Sequence, residues 1–367
     1  MAARLPLEGL TVVAVEQAVA APFCTSRLAD AGAHVIKVER AEGDLARGYD
    51  EVVNGLSSYF VWLNRGKESV VVDIASPDGR AELSRLIASA DIVVQNLKPG
   101  AFDRLGFAPE DLRKQYPALI ICSISGYGDT GPMADRKAYD LLVQAESGLS
   151  SVTGGPEAPA RVGISIVDIA TGSTAHAAIL EAVIGRGATG QGADIRISMF
   201  DVMADWLAVP LLHHKGGNSP RRIGLSHPSI SPYGVFETKD GRQMLISIQS
   251  DREWRTFADI FLGDATYGAD RRFATNVDRV RNRRETDGIV ATAFADMTKA
   301  QAEERLRAAD AAFAGVNDMA ALAQHPHLRR ITVDTPVGPV AIPAPAPIVK
   351  GEARRYGAVP AIGGSRA

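Results

Sequence analysis

One carboxylate stands out for its position. In VGISIVDIATGSTAHAAILEAV, residues 162–183, Asp168 lies where an apolar, strand-like stretch gives way to a long apolar helical pattern. A carboxylate at a helix N-terminus has two ordinary uses. It caps the first-turn amides, contributing about 1 kcal/mol, or it is a nucleophile that the helix dipole keeps ionised, with the same amides stabilising developing oxyanions. Four cations, Arg40, Lys67, Arg104 and Lys137, fall at expected strand ends or in loops. Converging, such residues would hold a ligand with several phosphates; scattered, they are plain surface charge. Glu16 and Gln17 close the first expected strand, and Tyr139 and Asp140 open a helical pattern in RKAYDLLVQAESG. Strand-end polarity and a helix cap with a packed aromatic are the simpler uses of those pairs.

Several other chemistries have no signature. The seven histidines form no ligand-spaced set with acids or cysteines, so no metal site is expected. There is no serine nucleophile elbow and no Walker loop. The first strand is followed by Gln17-Ala18-Val19-Ala20-Ala21-Pro22, without the glycine fingerprint of a dinucleotide site.

The elements that must position these residues alternate over the first two hundred positions. Strands are expected at 10–16, 34–39, 69–73, 91–95 and 119–124, with helices at 22–31, 77–89 and 109–115 between them. Near-continuous apolar strands separated by helices imply a Rossmann-like, mostly parallel sheet covered on both faces, an α/β fold. A ligand would then sit at the carboxyl ends of the strands. After a helix at 199–213, the Gly-, Pro- and Ser-rich stretch 213–228 reads as a linker. A hairpin at 233–238 and 243–248 around the Asp-Gly of KDGR follows, then helices at 251–261 and 300–309. The expected organisation is a large α/β domain at 1–212, the linker, a small α+β domain at 229–320, and a Pro/Gly/Val-rich tail at 321–367 returning to the large domain.

Bulk properties narrow the partners. The chain has 367 residues, 46% hydrophobic and 23% charged, with a net charge of −3. Nothing in that balance draws it to nucleic acid or to a membrane surface. Two cysteines, Cys24 and Cys122, in apolar contexts imply no disulfide framework and a reducing, cytoplasmic setting. The first residues lack a signal-peptide core, and no apolar stretch suggests a membrane span of ~18 residues.

Read together, the segments resemble the class III (CaiB/BaiF-type) CoA-transferases, which include formyl-CoA transferase. The matching pieces are AAPFCTSRLADAGAHVIKVER (20–40), LNRGKESVVVDI (63–74), VVQNLKPGAFDRLG (93–106), ISGYGDTGPMADRKAYDLLVQAESG (124–148), GISIVDIATG, PYGVFETKDG and AVPAIGG. The resemblance implies that Asp168 is a nucleophile and that coenzyme A is contacted by Val19, Ala20, Arg40, Leu63, Lys67, Asn96, Leu97, Arg104 and Lys137. Glu16, Gln17, Tyr139 and Asp140 are implied neighbours of the reacting centre. Two departures matter. Val19 stands where formyl-CoA transferase has a glutamine, with Gln17 two positions away, and the glycine-rich loop of that enzyme is not recognisable between 226 and 251.

The implied reaction moves CoA from an acyl-CoA donor to a free carboxylic acid through aspartyl-anhydride and aspartyl-CoA thioester intermediates. No cofactor is held permanently; the CoA thioester is itself substrate. A short dicarboxylate such as succinate, mesaconate, itaconate or citramalate is the suggested acid, with Arg221, Arg222 and His227 the candidates for its free carboxylate. The family also implies an interlocked homodimer of ring-shaped chains. The alternatives are an α-methylacyl-CoA racemase, which carries a histidine where this chain has Tyr139, and a non-catalytic CoA-binding protein.

Overall fold

The computed structural model describes residues 4–352 and 354–364. The chain forms two compact units. The first takes in residues 1–150, 161–212 and 329–367, the second residues 151–160 and 213–328. The segment expected to be a linker, 213–228, falls in the second unit, which runs on to Leu328.

The first unit is built on six parallel strands: β1 (Thr11–Val15), β2 (His34–Glu39), β3 (Lys67–Val71), β4 (Ile92–Gln95), β5 (Ile120–Ser125) and β6 (Asp194–Ser198), in the order β3-β2-β1-β4-β5-β6. The helices are α1 (Ala20–Asp30), α2 (Ser58–Asn64), α3 (Pro77–Ala88), α4 (Ala101–Arg104), α5 (Pro109–Gln115), α6 (Asp140–Glu146), α7 (Leu149–Val152), α8 (Ile166–Thr189), α9 (Met199–Trp206) and α10 (Ala208–Lys215). Strand side chains alternate between two apolar layers, as a sheet covered on both faces requires. Val12, Ala14, Val35, Val94 and Cys122 pack with Leu28 of α1 and Ile179 of α8. Val13, Val15, Val38, Val93 and Ile121 pack with Leu83 and Ile87 of α3 and Leu112 of α5. Each such aliphatic side chain contributes roughly 1.5–3 kcal/mol of burial. The strand order reverses between β1 and β4, which opens a crevice at their carboxyl ends.

Local expectations fail where a neighbour decides the outcome. Residues 162–165 form no strand; they are an irregular lead into α8. The helix expected at 199–213 breaks after Trp206, because Pro210 has no N–H for the Trp206 carbonyl. α8 is 24 residues long and apolar enough to cross a membrane by length and composition, contrary to the sequence expectation. Here it lies along α1 and the sheet, with Ala175 and Ile179 in the core. At the open edge of the sheet, β3 receives the tail: Gly66 N donates to Ala358 O at 2.8 Å and Ser69 N to Gly364 O at 3.0 Å. A tail hairpin, Arg330–Val333 with Val340–Pro343, precedes that contact.

In the second unit the hairpin Tyr233–Glu237 and Gln243–Ser247 gains a third antiparallel strand, Ala312–Gly315. Phe236, Met244, Ile246, Trp254, Phe257 and Phe294 form its core.

Candidate active site

The crevice begins where β1 ends. Val19 is the N-cap of α1 and offers no capping side chain, while Ala18 before it takes a left-handed φ of 65°. A non-glycine residue holds that conformation only when its surroundings fix it. Ala18 N donates to Asp44 Oδ1 at 2.9 Å. Gln17 N donates to Asn96 Oδ1 and Asn96 Nδ2 donates back to Gln17 O, both at 2.9 Å, tying the ends of β1 and β4 together.

Beneath this loop lies a buried ionic network. Glu16 accepts from Lys67 Nζ at 2.6 Å, Thr25 Oγ1 at 2.6 Å and Lys37 Nζ at 3.3 Å. Lys37 also donates to Asp44 Oδ2 at 2.7 Å. Burial pushes the Glu16 carboxyl up, but Lys67 and Lys37 outweigh it and hold it below its ordinary value. Burial draws the Lys67 ammonium down to about 8 despite Glu16. The network anchors Asp44, and through it Ala18.

Asp168 is the third residue of α8, not its cap, and its carboxylate accepts no hydrogen bond from a described residue. Burial, then the charge of Asp140, raises it to about 7. The α8 amides are already taken. Ile166 N donates to Ile164 O and Ile169 N to Ser165 O, while Val167 N and Asp168 N donate to Asp140 Oδ1 at 2.8 and 3.3 Å. The expectation that these amides serve Asp168 or an oxyanion is therefore corrected. The α1 terminus, which no side chain caps, is the open one.

Asp168 opens into a cavity of about 590 Å³, shared with Gln17, Val19, Ala20, Asn96, Leu97, Lys137, Tyr139 and Asp140. Three tyrosines ring it. Tyr59 Oη lies 3.3 Å from Ser165 Oγ, Tyr49 meets Tyr59 edge-on at 5.6 Å, and Tyr139 is 62% exposed instead of packed. Two further hollows continue along the strand ends. One, of about 260 Å³, carries Arg40 beside Gln17 and Leu97; the other, of about 480 Å³, carries Arg104 beside Leu97 and Ser125. Arg40, Lys137 and Arg104 thus line successive hollows of one row.

A family model for CoA-transferase family III matches residues 7–365. The chain belongs to that family. A succinate–glutarate CoA-transferase of Agrobacterium fabrum is 38% identical over 297 residues, covering 78% of this chain and 74% of its own. An acetyl-CoA:oxalate CoA-transferase of Acetobacter aceti is 39% identical over 281 residues, covering 76% and 72%. The solved CaiB/BaiF family protein from Brucella suis superposes with a TM-score of 0.80 at 32% identity, over 100% of this chain and 96% of that one. The chain is accordingly a CoA-transferase whose substrates are CoA thioesters.

Two residues expected to contact CoA lie away from these hollows. Lys67 is 1% exposed and its ammonium is committed to Glu16, Asn64 Oδ1 and Pro22 O; Leu63 is fully buried against Val19 and Phe23. Neither lines the row of hollows. Glu16 borders the smallest hollow, yet its carboxylate faces the lysines. Arg222 donates to the carbonyls of Gly155, Ser151 and Pro156 in the second unit, and His227 stacks on Tyr233. Arg221 also belongs to the second unit. Sequence reading missed Tyr49, Tyr59, Ser165 and Arg161, all of which line the Asp168 cavity. Seven positions before Asp168, Arg161 was legible as the nearest preceding cation, but only the fold brings it to the cavity.

Proposed function

We propose that this CoA-transferase works through Asp168 as covalent nucleophile and moves CoA between short dicarboxylic acids. The ionised carboxylate attacks the thioester carbonyl of the donor, expelling CoA thiolate and forming an aspartyl-acyl anhydride. The thiolate attacks the aspartyl carbonyl, giving an aspartyl-CoA thioester and the free donor acid. The acceptor carboxylate attacks that thioester and releases the thiolate, which then takes the acceptor acyl group and frees Asp168. The observation that carries this reading is a carboxylate without a hydrogen-bond donor among the described residues, raised to about 7, at the wall of a cavity of about 590 Å³.

The open first-turn amides of α1, at Ala20 and Ala21, are the oxyanion donors. Gln17 is held by Asn96 beside them and does the work of the glutamine that Val19 replaces. Tyr49, Tyr59 and Tyr139 keep water from the anhydride. Arg40, Arg104 and Lys137 carry the phosphates of CoA, while Val19, Ala20, Asn96 and Leu97 contact its pantetheine arm. Lys67 and Leu63 act from below by holding the loop. Among the described residues no histidine lines the cavity, so the proton exchange of a racemase has no imidazole there to perform it.

Both relatives named above have dicarboxylates in their names, which supports a dicarboxylate here. Its free carboxylate needs a cation, and Arg161 is suited to that task. It makes one hydrogen bond, from Nε to Val162 O at 3.0 Å, and pairs with no described acid. The assembly is an interlocked homodimer. Only 33% of the apolar window of α8 is buried, and Trp206, Val209 and Leu212 are more than half exposed. Free, buried Cys24 and Cys122 accord with a cytoplasmic setting.

The test is transfer from succinyl-CoA to a panel of carboxylic acids, with new acyl-CoA species followed by mass spectrometry. Asp168→Ala should abolish transfer, and transfer surviving in it would overturn the nucleophile. Cα–deuterium exchange without transfer would establish the racemase instead.

A further inference from the structure

The amides that a helix terminus leaves open are closed on α8 by a side chain from another helix. Ser165, the N-cap, makes no capping bond with its own side chain. Asp140, the first residue of α6 and 27 positions upstream of Val167, takes that role with Oδ1. Its Oδ2 accepts from Gln144 Nε2 at 2.6 Å. Gln144 is fully buried, and its Oε1 accepts from Val162 N at 2.9 Å. One turn of α6 therefore grips the 162–168 segment at both ends.

We propose that Asp140 is a positioning residue for the transfer reaction, fixing the backbone of Asp168 and setting, through its charge, the pH at which that residue becomes a nucleophile. The inference rests on the reading of Asp168 given above. A cap needs only an acceptor, and asparagine supplies one at the same reach as aspartate, while serine offers an uncharged oxygen on a shorter arm. What aspartate adds is a negative charge bonded to the nucleophile's own amide. A second negative charge next to it is disfavoured, and the half-buried cavity wall sharpens that penalty. The other groups around the cavity are the phenols of Tyr49, Tyr59 and Tyr139 and the cations Lys98, Arg136, Lys137 and Arg161. Asp140 is thus the acid among them that faces Asp168; burial first, and then this charge, raise the carboxyl to about 7. A carboxylate held there is more basic, and so more nucleophilic, than a free one.

The experiment compares Asp140→Asn and Asp140→Ser with the unaltered chain by two readouts. The first is the pH profile of kcat/KM with succinyl-CoA and glutarate. Its acid limb should fall near 7 in the unaltered chain and move down by about one unit or more in both variants, with KM for succinyl-CoA little changed. The second needs no turnover: carbodiimide labelling of Asp168, which requires the protonated carboxyl, read by peptide mass spectrometry across pH. Labelling should persist to near neutral pH in the unaltered chain and end at lower pH in the variants. Equal midpoints in all three proteins, by labelling, would overturn the proposal even if activity falls. Asp168→Asn with full transfer would instead remove the nucleophile reading, and the two failures are distinct.

Discussion

Replacing Lys67 by methionine separates two roles for that residue. As a ligand contact, its loss would weaken CoA binding and leave the fold intact. As part of the buried network, its loss strikes the fold. Lys67 Nζ serves Glu16 at 2.6 Å, and Pro22 O and Asn64 Oδ1 at 3.1 Å each, with both charged side chains fully buried. Removing one partner of such a pair costs about 3–5 kcal/mol, because the other charge stays behind. Glu16 would keep Thr25 and Lys37, so the lower end applies: about 3 kcal/mol, or roughly 5–10 °C in melting temperature. Replacing Glu16 by leucine as well removes the stranded charge, so the double variant should recover at least ~1 kcal/mol over Lys67→Met. Urea unfolding of the four proteins in the cycle measures these quantities, and calorimetric titration with a CoA thioester measures binding. Unchanged melting together with a tenfold weaker affinity would refute the structural role, as would strict additivity in the cycle.

Asp168→Asn should stabilise the protein in a pH-dependent way. Between the ordinary aspartate value near 4 and about 7, the folded chain retains a proton that the unfolded chain has lost, so stability falls as pH rises through that window. The asparagine variant escapes that loss. Its advantage should be absent below about pH 4 and reach roughly 1–3 kcal/mol above about pH 7, allowing for solvent at a half-buried site; thermal melts at the two ends check it. Arg161→Gln should raise KM for glutarate at least ~10-fold while leaving that for acetate within about twofold, as expected for one charged hydrogen-bonded contact; equal effects on both acids would exclude the carboxylate role. Gly172→Ala should destabilise by about 1–3 kcal/mol, because a Cβ there meets Ala20 O and Phe23 where α8 crosses α1. The same change at Gly288, on an open helix surface, should stabilise by about 0.5–1 kcal/mol; chemical denaturation distinguishes the signs.

The sheet was readable because its strands β1, β2, β4 and β5 are apolar runs that depend on no partner for their pattern. β6, Asp-Ile-Arg-Ile-Ser, was not: it alternates charge with isoleucine at the sheet's other edge and has no buried-strand signature. Asp168 was legible as a carboxylate beginning a helix. That it does not cap the helix was not legible, because the acceptor for those amides lies on a different helix. Lys67 shows the same limit. Sequence displays a cation, but the acid 51 positions away decides that it faces inward. Arg40 follows the end of β2, and Arg104 and Lys137 lie in the segments that leave β4 and β5, so the topology carries them toward the crevice. Tyr49 and Tyr59 lie in and after an irregular stretch between β2 and β3, where periodicity says nothing of direction.

The seal that the tail places on β3 has a consequence for biosynthesis. Gly363 N donates to Ser69 Oγ, closing a loop of 294 residues, and Arg47 reaches Pro360 O. The edge of the first unit is therefore completed by residues made 294 positions after the strand they cover. Until then β3 presents bare N–H and C=O groups, a template for pairing with a neighbouring nascent chain. Such distant closure also slows folding, since the loop entropy is lost before the contacts form. A chain cut before Ala358, and so lacking the Ala358, Gly363 and Gly364 contacts to residues 66–69, should emerge with an open edge and aggregate.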